Sequence, residues 1–216
     1  MRLRQRRRRR RRRPCPNGSS PVAEPDTFVF VAATDPLAAP LFAELAHEYS
    51  TRYGDFFGED PAVELARYPA DRFSRAEGGA FVLLLREGVA IAGGAFMRFD
   101  ESTVELKRIW ASAAHRRQGL ARRVVVELED EARRQGYARA YLTTGPRQPE
   151  AKSLYFRTGY TPLFDVSLEP EQVVIHGFAK GLTPAGDDLS GVIRAHEESL
   201  AEFLAAHPAI PVGGAA

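Results

Sequence analysis

Arg116-Arg117-Gln118-Gly119-Leu120-Ala121 joins a strand-like run to a long amphipathic one, and its reading decides the fold. Before it, Thr103 to Ala111 has the β-branched and aromatic content of a strand. After it, Gln118 to Gln135 reads as a helix with Leu120, Val124, Val125, Leu128 and Ala132 inward. Glu127, Glu129, Asp130, Arg133 and Arg134 are assigned to its outer face, and Gly136 closes it. The first turn of any helix leaves backbone N–H groups without internal partners and carries about half a positive charge. A phosphate is stabilised there. Gly119 has no Cβ, so a pyrophosphate can approach the backbone, and Ala121 keeps the next turn lean. Arg116, Arg117, Arg122 and Arg123 add attraction for an anion. Taken alone, this is a phosphate-site signal that competes with a solvated arginine-rich loop.

Working outward, Phe28 to Val31 is a candidate first strand. Asp35-Pro36 caps a helix running to about Tyr53 and stopping at Gly54. Asp60-Pro61 opens a second helical segment through about Tyr68. Ala80 to Arg86 and Val89 to Phe99 form a hairpin across Glu87-Gly88, and Gly93-Gly94 marks a bulge or a close backbone approach. Downstream, Ala138 to Thr143 is a strand and Pro149 to Thr158 a helix closed by Gly159. Thr161 to Leu168 and Val173 to Ala179 are the last strands. A final amphipathic helix, about Asp187 to Ala206, carries Leu189, Val192, Ile193, His196, Leu200, Phe203 and Leu204 on one face. It packs on the body or pairs with a second copy as a homodimer, and the sequence leaves both open. His196 on that stripe reads as a packed histidine.

Composition sets the frame. Of 216 residues, 44% are hydrophobic and 27% charged, as expected of one ordinary domain with tails. Residues 1–26 read as an arginine-rich tail and linker, 27–182 as the domain, and 183–216 as a terminal helix and tail. The net charge of +2 hides an asymmetry: ten arginines and no acid lie in residues 1–13, so residues 14–216 carry 2 − 10 = −8. The arginine run is an electrostatic arm for nucleic acid or anionic lipid, or an extension without a role. The acidic body argues against nucleic acid as the main partner. No stretch approaches the roughly 18 apolar residues of a membrane span. Cys15 is the one cysteine, which excludes an intrachain disulfide and a cysteine-based zinc site; no metal and a cytoplasmic setting are expected.

The loop has a closer parallel. Arg116 to Ala121 resembles the [Arg/Gln]-x-x-Gly-x-[Gly/Ala] pyrophosphate loop of the GNAT acetyltransferase superfamily. Glu105-Leu106-Lys107-Arg108-Ile109-Trp110 resembles the strand leading into it. Thr144 to Ala151, followed by Leu154-Tyr155-Phe156-Arg157-Thr158-Gly159-Tyr160, is similar to the second half of that fold. The resemblance spans about Thr27 to Gly181. It implies an α+β fold, with a mixed, mostly antiparallel sheet of about 6–7 strands, about four helices, and a splay at the coenzyme A cleft. It also implies an N-acetyltransferase that moves an acetyl group from acetyl-CoA to a small-molecule or peptide amine by direct attack. A non-catalytic coenzyme-binding protein of the same fold is the alternative.

The site residues follow from the resemblance. Backbone groups of Ile109, Trp110 and Ala111 would pair with the pantetheine arm. Arg116, Arg117, Gln118, Gly119, Leu120, Ala121 and Arg122 would form the pyrophosphate loop. Gln148 stands where the family often has Asn, and Ala121 where glycine is commoner. Tyr155 falls where many members place the acid that protonates the leaving thiolate; packing of the helix onto the sheet is its competing role. Amide formation needs a neutral amine, hence a base. Glu105 is the leading candidate, against a salt bridge with Lys107 two residues on. His176 is a weaker candidate, Tyr49 and Tyr53 are candidates for lining the acceptor site, and Trp110 reads as packing.

Overall fold

Residues 25–54, 65 and 67–207 are described by a computed structural model of the chain. Strand β2 (Ala80–Arg86) is apolar from Ala80 to Leu85 because it is covered on both faces. Val82 and Leu84 enter one core, whereas Phe81 and Leu83 enter the other. The chain returns through Glu87 and Gly88, both at positive φ, into β3 (Val89–Arg98), which pairs antiparallel with β2. β1 (Thr27–Phe30) lies on the free side of β2, and β4 (Thr103–Ala111) on the far side of β3.

Helix α1 (Ala39–Tyr53) follows a short 3₁₀ turn over Pro36–Ala38, where the Asp35 carboxylate accepts from the Leu37 N–H at 2.8 Å. It covers one sheet face, burying Leu41 and Leu45 among Phe81, Leu83, Met97 and Trp110. Helix α2 (Leu120–Arg134) crosses the other face and carries the chain from β4 to β5 (Arg139–Thr144), which lies parallel to β4. Helix α3 (Pro149–Arg157), strand β6 (Thr161–Pro162), helix α4 (Pro170–Val173), strand β7 (His176–Gly181) and helix α5 (Ser190–Ala206) complete the order. The sheet runs β1-β2-β3-β4-β5-β7-β6, and among the described residues β4–β5 is its one parallel pair. The expected α+β architecture with a mixed, mostly antiparallel sheet is therefore the observed one.

Gly93 and Gly94 serve both expected purposes. The β3–β4 register shifts between Gly93 and Ala95. A Cβ on Gly93 would sit 2.7 Å from Leu83 Cδ2 and 2.8 Å from the Val82 carbonyl oxygen. One on Gly94 would sit 2.7 Å from Ile109 Cδ1. The sheet and α2 approach too closely for a side chain.

Three expectations need correction or placement. The strand expected over Thr161 to Leu168 shrinks to Thr161–Pro162, because the Asp165 carboxylate then turns the chain by accepting from the Ser167 N–H at 2.8 Å. Glu129, assigned to the outer face of α2, is only 3% exposed and accepts two hydrogen bonds from the Lys180 ammonium, at 2.9 and 2.7 Å. Periodicity placed it outward because it cannot see a lysine arriving from β7. The helical segment expected from Asp60 to Tyr68 lies largely outside the described residues.

Candidate active site

The β4–β5 pair is short. Thr103, Val104 and Glu105 face Arg139, Ala140 and Tyr141; beyond Glu105 the two strands have no further mutual pairs. β4 runs on to Ala111 alongside β3, and β5 runs on to Thr144 alongside β7. Three residues past the parting, the Arg108 backbone is left-handed at φ 59 next to the β3–β4 bulge. The edge of β4 from Leu106 to Ala111, which includes Ile109, Trp110 and Ala111, therefore faces a wedge instead of a partner strand. An extended amide-bearing ligand fits there as a missing strand would.

At the mouth of that wedge the β4–α2 loop turns through Arg117 (φ 64) and Gly119 (φ 73). No side chain caps α2, so its first N–H groups point outward with the positive end of the helix dipole. A Cβ built on Gly119 meets nothing within 4 Å, which leaves open space over the backbone for an anion. The surrounding arginines are partly engaged. Asp26 takes Arg86 at 2.7 Å and Arg123 at 2.5 Å, and these two guanidinium hydrogen bonds hold its carboxyl far below the usual range. Arg86 also donates to Gln118 Oε1 at 3.1 Å, tying the loop to β2. Arg116 lies 3.9 Å from Glu48.

Helix α1 fastens both sides of the wedge. Glu44 accepts from Trp110 Nε1 (3.0 Å), Ser112 Oγ (3.1 Å) and the Ala113 N–H (2.9 Å). Burial pushes its pKa up, but these donors outweigh burial and the net shift is downward. On the β5 side, Gln148 Nε2 donates to Glu48 at 3.3 Å, Arg52 pairs with Glu150, and Tyr53 Oη accepts from the Arg147 N–H at 3.1 Å. Below this bridge lies a cavity of about 510 Å³. Tyr49, Tyr53, Glu105, Tyr141 and Gln148 line it, and α5 closes it with His196 and Phe203.

The acetyltransferase (GNAT) family profile matches residues 42–160, from α1 to the turn after α3. The chain belongs to that family. It is 34% identical over 93 residues to the uncharacterized N-acetyltransferase YsnE of Bacillus subtilis (strain 168), a stretch covering 40% of this chain and 62% of that protein. A candidate acyl-CoA N-acyltransferase from Klebsiella pneumoniae subsp. pneumoniae MGH 78578 superposes with a TM-score of 0.56 at 24% identity, covering 73% of this chain and 98% of that one. A GNAT family acetyltransferase from Elizabethkingia anophelis, solved with acetyl-CoA bound, gives 0.51 at 16% identity, over 72% and 97% of the respective chains. At these identities the structural likenesses concern the fold.

Against the GNAT frame, each expected residue has a place. The loop from Arg116 to Arg122 stands at the uncapped end of α2. Tyr155 is 5% exposed, with its ring 5.6 Å from Tyr160 and 5.5 Å from Phe178. Burial first, and Tyr49 second, raise its pKa, so the phenol stays protonated at neutral pH. The packing expected of Tyr155 is observed, and like His176 it is absent from the cavity lining. Gln148 directs its amide to Glu48 and to Thr144 Oγ1, which donates to Oε1 at 2.8 Å. Trp110 packs as expected, with the added bond to Glu44. His176 stacks on Phe164 at 4.5 Å, and its Nε2 lies 3.1 Å from the Pro170 carbonyl oxygen. It belongs to the packing and is absent from the cavity lining.

Sequence reading missed Glu44, Glu48 and Arg52. Their i, i+4 spacing along α1 was the available signal for one polar face. It also missed the contact of Tyr141 Oη with His196 Nδ1 at 2.9 Å, which joins residues 55 positions apart. Helix α5 folds back onto its own sheet through this contact and Val192. Among the described residues, no group of three or more His, Cys, Asp or Glu is placed to hold a metal, and no helix is long and apolar enough to cross a membrane.

Proposed function

We propose that the protein is an N-acetyltransferase that moves the acetyl group of acetyl-CoA directly to a primary amine. The observation that carries this is the parting of β4 from β5 after Glu105, at the foot of a wedge whose mouth is the Gly119 loop. The loop and the first N–H groups of α2 would take the pyrophosphate. The edge of Ile109, Trp110 and Ala111 would hold the pantetheine by backbone hydrogen bonds, which aims the thioester down the wedge toward Glu105.

The acceptor enters from the other sheet face, through the cavity beneath α1. An amine is mostly protonated at pH 7, so Glu105 takes a proton from it, directly or through water. The free amine attacks the thioester carbonyl carbon. Backbone N–H groups of splayed β4 stabilise the oxyanion. As the tetrahedral intermediate collapses, the C–S bond breaks and Tyr155 protonates the departing sulfur. Both substrates are held at once, so no enzyme nucleophile is required.

Two measurements test this reading. Calorimetry should detect acetyl-CoA binding to the purified protein, and a screen of amines should show thiol release that depends on both substrates. Absence of coenzyme binding would overturn it. Binding without transfer to any amine would instead favour a coenzyme-sensing role.

A further inference from the structure

β4 does not keep the alternation of a regular strand. Glu105 and Lys107 line the cavity on the α1 side, and Leu106 packs into the core on the α2 side. Strict alternation would send Arg108 and Trp110 the way of Leu106, and Ile109 and Ala111 the way of Lys107. The structure has the reverse. Ile109 and Ala111 pack on the α2 core, and Trp110 is buried in the α1 core. The register gives the reason. Between the pairs Ala95–Lys107 and Gly93–Trp110, β3 has one residue, Gly94, and β4 has two, Arg108 and Ile109. One extra residue inverts every position that follows it.

Backbone hydrogen-bonding groups alternate sides along a strand as side chains do. The extra residue therefore exchanges, from Ile109 to Ala111, the groups that face β3 for those that face the wedge. Beyond them the new phase is held, with the Ser112 N–H donating to the Ile91 carbonyl oxygen at 2.9 Å. This edge is the one assigned above to the pantetheine arm, so its phase decides which hydrogen bonds a coenzyme meets there.

The residue at the inversion is Arg108, at φ 59. Glycine adopts that left-handed backbone freely, whereas a residue with a Cβ is strained in it. The Arg108 side chain is anchored on the α1 side, the same side as Lys107 before it. Its guanidinium carbon lies 4.3 Å from the centre of the Phe73 ring and 5.0 Å from that of Phe42. Nη2 donates to the Leu65 carbonyl oxygen at 2.8 Å. Two cation–aromatic contacts and a charge-assisted hydrogen bond offset the strain of the turn. Arg108 is absent from the cavity lining, so any effect it has on the reaction passes through the backbone.

We propose that Arg108 is a positioning residue for acetyl transfer: its anchored guanidinium holds the left-handed turn that sets the phase of the β4 edge against the coenzyme. This rests on the acetyltransferase reading above. The side chain touches neither substrate, and the turn it holds decides how the pantetheine and the thioester lie.

The test compares Arg108→Ala with Arg108→Gly. Both delete the anchor, but glycine takes the left-handed turn without strain and alanine does not. Calorimetry should show acetyl-CoA affinity lowered about tenfold or more in the alanine variant, and within about threefold of the unaltered protein in the glycine variant. Thiol release, with an amine that the unaltered protein accepts, should follow the same order. A residue that merely packs would lose the same contacts in both variants, so an equal loss, or no loss in either, would overturn the proposal. Urea midpoints read the turn without coenzyme. The glycine variant should unfold at higher urea than the alanine variant, and an equal or reversed order would overturn the proposal, as would failure of both to fold. If the unaltered protein binds no acetyl-CoA, the acetyltransferase reading falls, and the order of the midpoints still decides whether the side chain holds the turn.

Discussion

The Glu105 carboxylate and the Lys107 ammonium, neighbours on one face of β4, meet at 2.7 Å at the point where β4 leaves β5. Side chains two apart on a strand share a face, and here both are largely withdrawn from solvent, at 9% and 15% exposure. The ion pair engages one Glu105 oxygen, Oε1, while leaving its second oxygen for an incoming amine. A base and a salt-bridge partner are thus compatible roles. Glu105→Gln should lower kcat about 10²-fold at pH 7 with acetyl-CoA affinity unchanged. Full activity of Glu105→Gln would remove the carboxylate from the mechanism.

Tyr155→Phe keeps the ring that packs on Tyr160 and Phe178 and deletes only the proton-bearing oxygen. We expect a 10- to 100-fold loss of kcat, of the order ascribed to one general acid. The denaturation midpoint should stay nearly constant. Tyr155→Ala, by contrast, should cost about 3–5 kcal/mol of stability in urea titrations, since it empties a core position. Unchanged turnover in Tyr155→Phe would leave the residue with packing alone.

Gly119→Ala separates binding from folding. The added methyl meets no protein atom within 4 Å, so its cost to the fold is the left-handed backbone at φ 73, roughly 1–2 kcal/mol. The same methyl intrudes on the space assigned to the pyrophosphate. Calorimetry should show acetyl-CoA affinity falling at least tenfold. Affinity equal to that of the unaltered protein would move the pyrophosphate elsewhere.

His176 and His196 predict a pH dependence of stability. Both are nearly fully buried, and burial lowers the pKa of each below 6.5. The folded chain then binds fewer protons than the unfolded chain just below pH 6.5, so stability rises with pH in that window. Their contribution is complete above pH 6.5 and is lost as the pH falls toward the lowered folded-state values. Urea midpoints at pH 7.5 and 5.5 should differ, and a His176→Gln, His196→Gln variant should show a smaller difference. An equal difference in that variant would assign the slope to other groups.

Glu44 makes an acid-side counterpart. Its carboxylate is held below 4.5 by the Ala113, Trp110 and Ser112 donors despite the opposing effect of burial. The stability it adds is present above about pH 4.5 and disappears as the pH drops through the lowered value. Glu44→Gln should cost about 1–3 kcal/mol at pH 7, read by urea denaturation, because it weakens three hydrogen bonds to a charged group.

Much of this molecule was legible along the chain because its signals are local. Alternating or continuous apolar runs marked β2, β3 and β4, and a 3.6-residue stripe marked α2. Gly136 and Gly159, both at positive φ, closed the helices they were expected to close. The Gly119 loop was readable because a missing Cβ and an uncapped helix start are properties of a few consecutive residues. β6 was misjudged in length because an edge strand extends only as far as its pairing, and Asp165 turns the chain soon after Pro162 pairs with Phe178 of β7.

By itself, then, the sequence determined the strand–loop–helix unit that marks the GNAT family and the side-chain-free backbone at Gly119. Periodicity and glycine geometry act within a few residues and need no distant partner. The tertiary structure alone decided where β4 and β5 part, that Glu129 is buried beside Lys180, and that α5 walls the cavity beneath α1. Those outcomes depend on pairs such as Tyr141 and His196, far apart in the chain, and contact between distant residues has no local pattern to read.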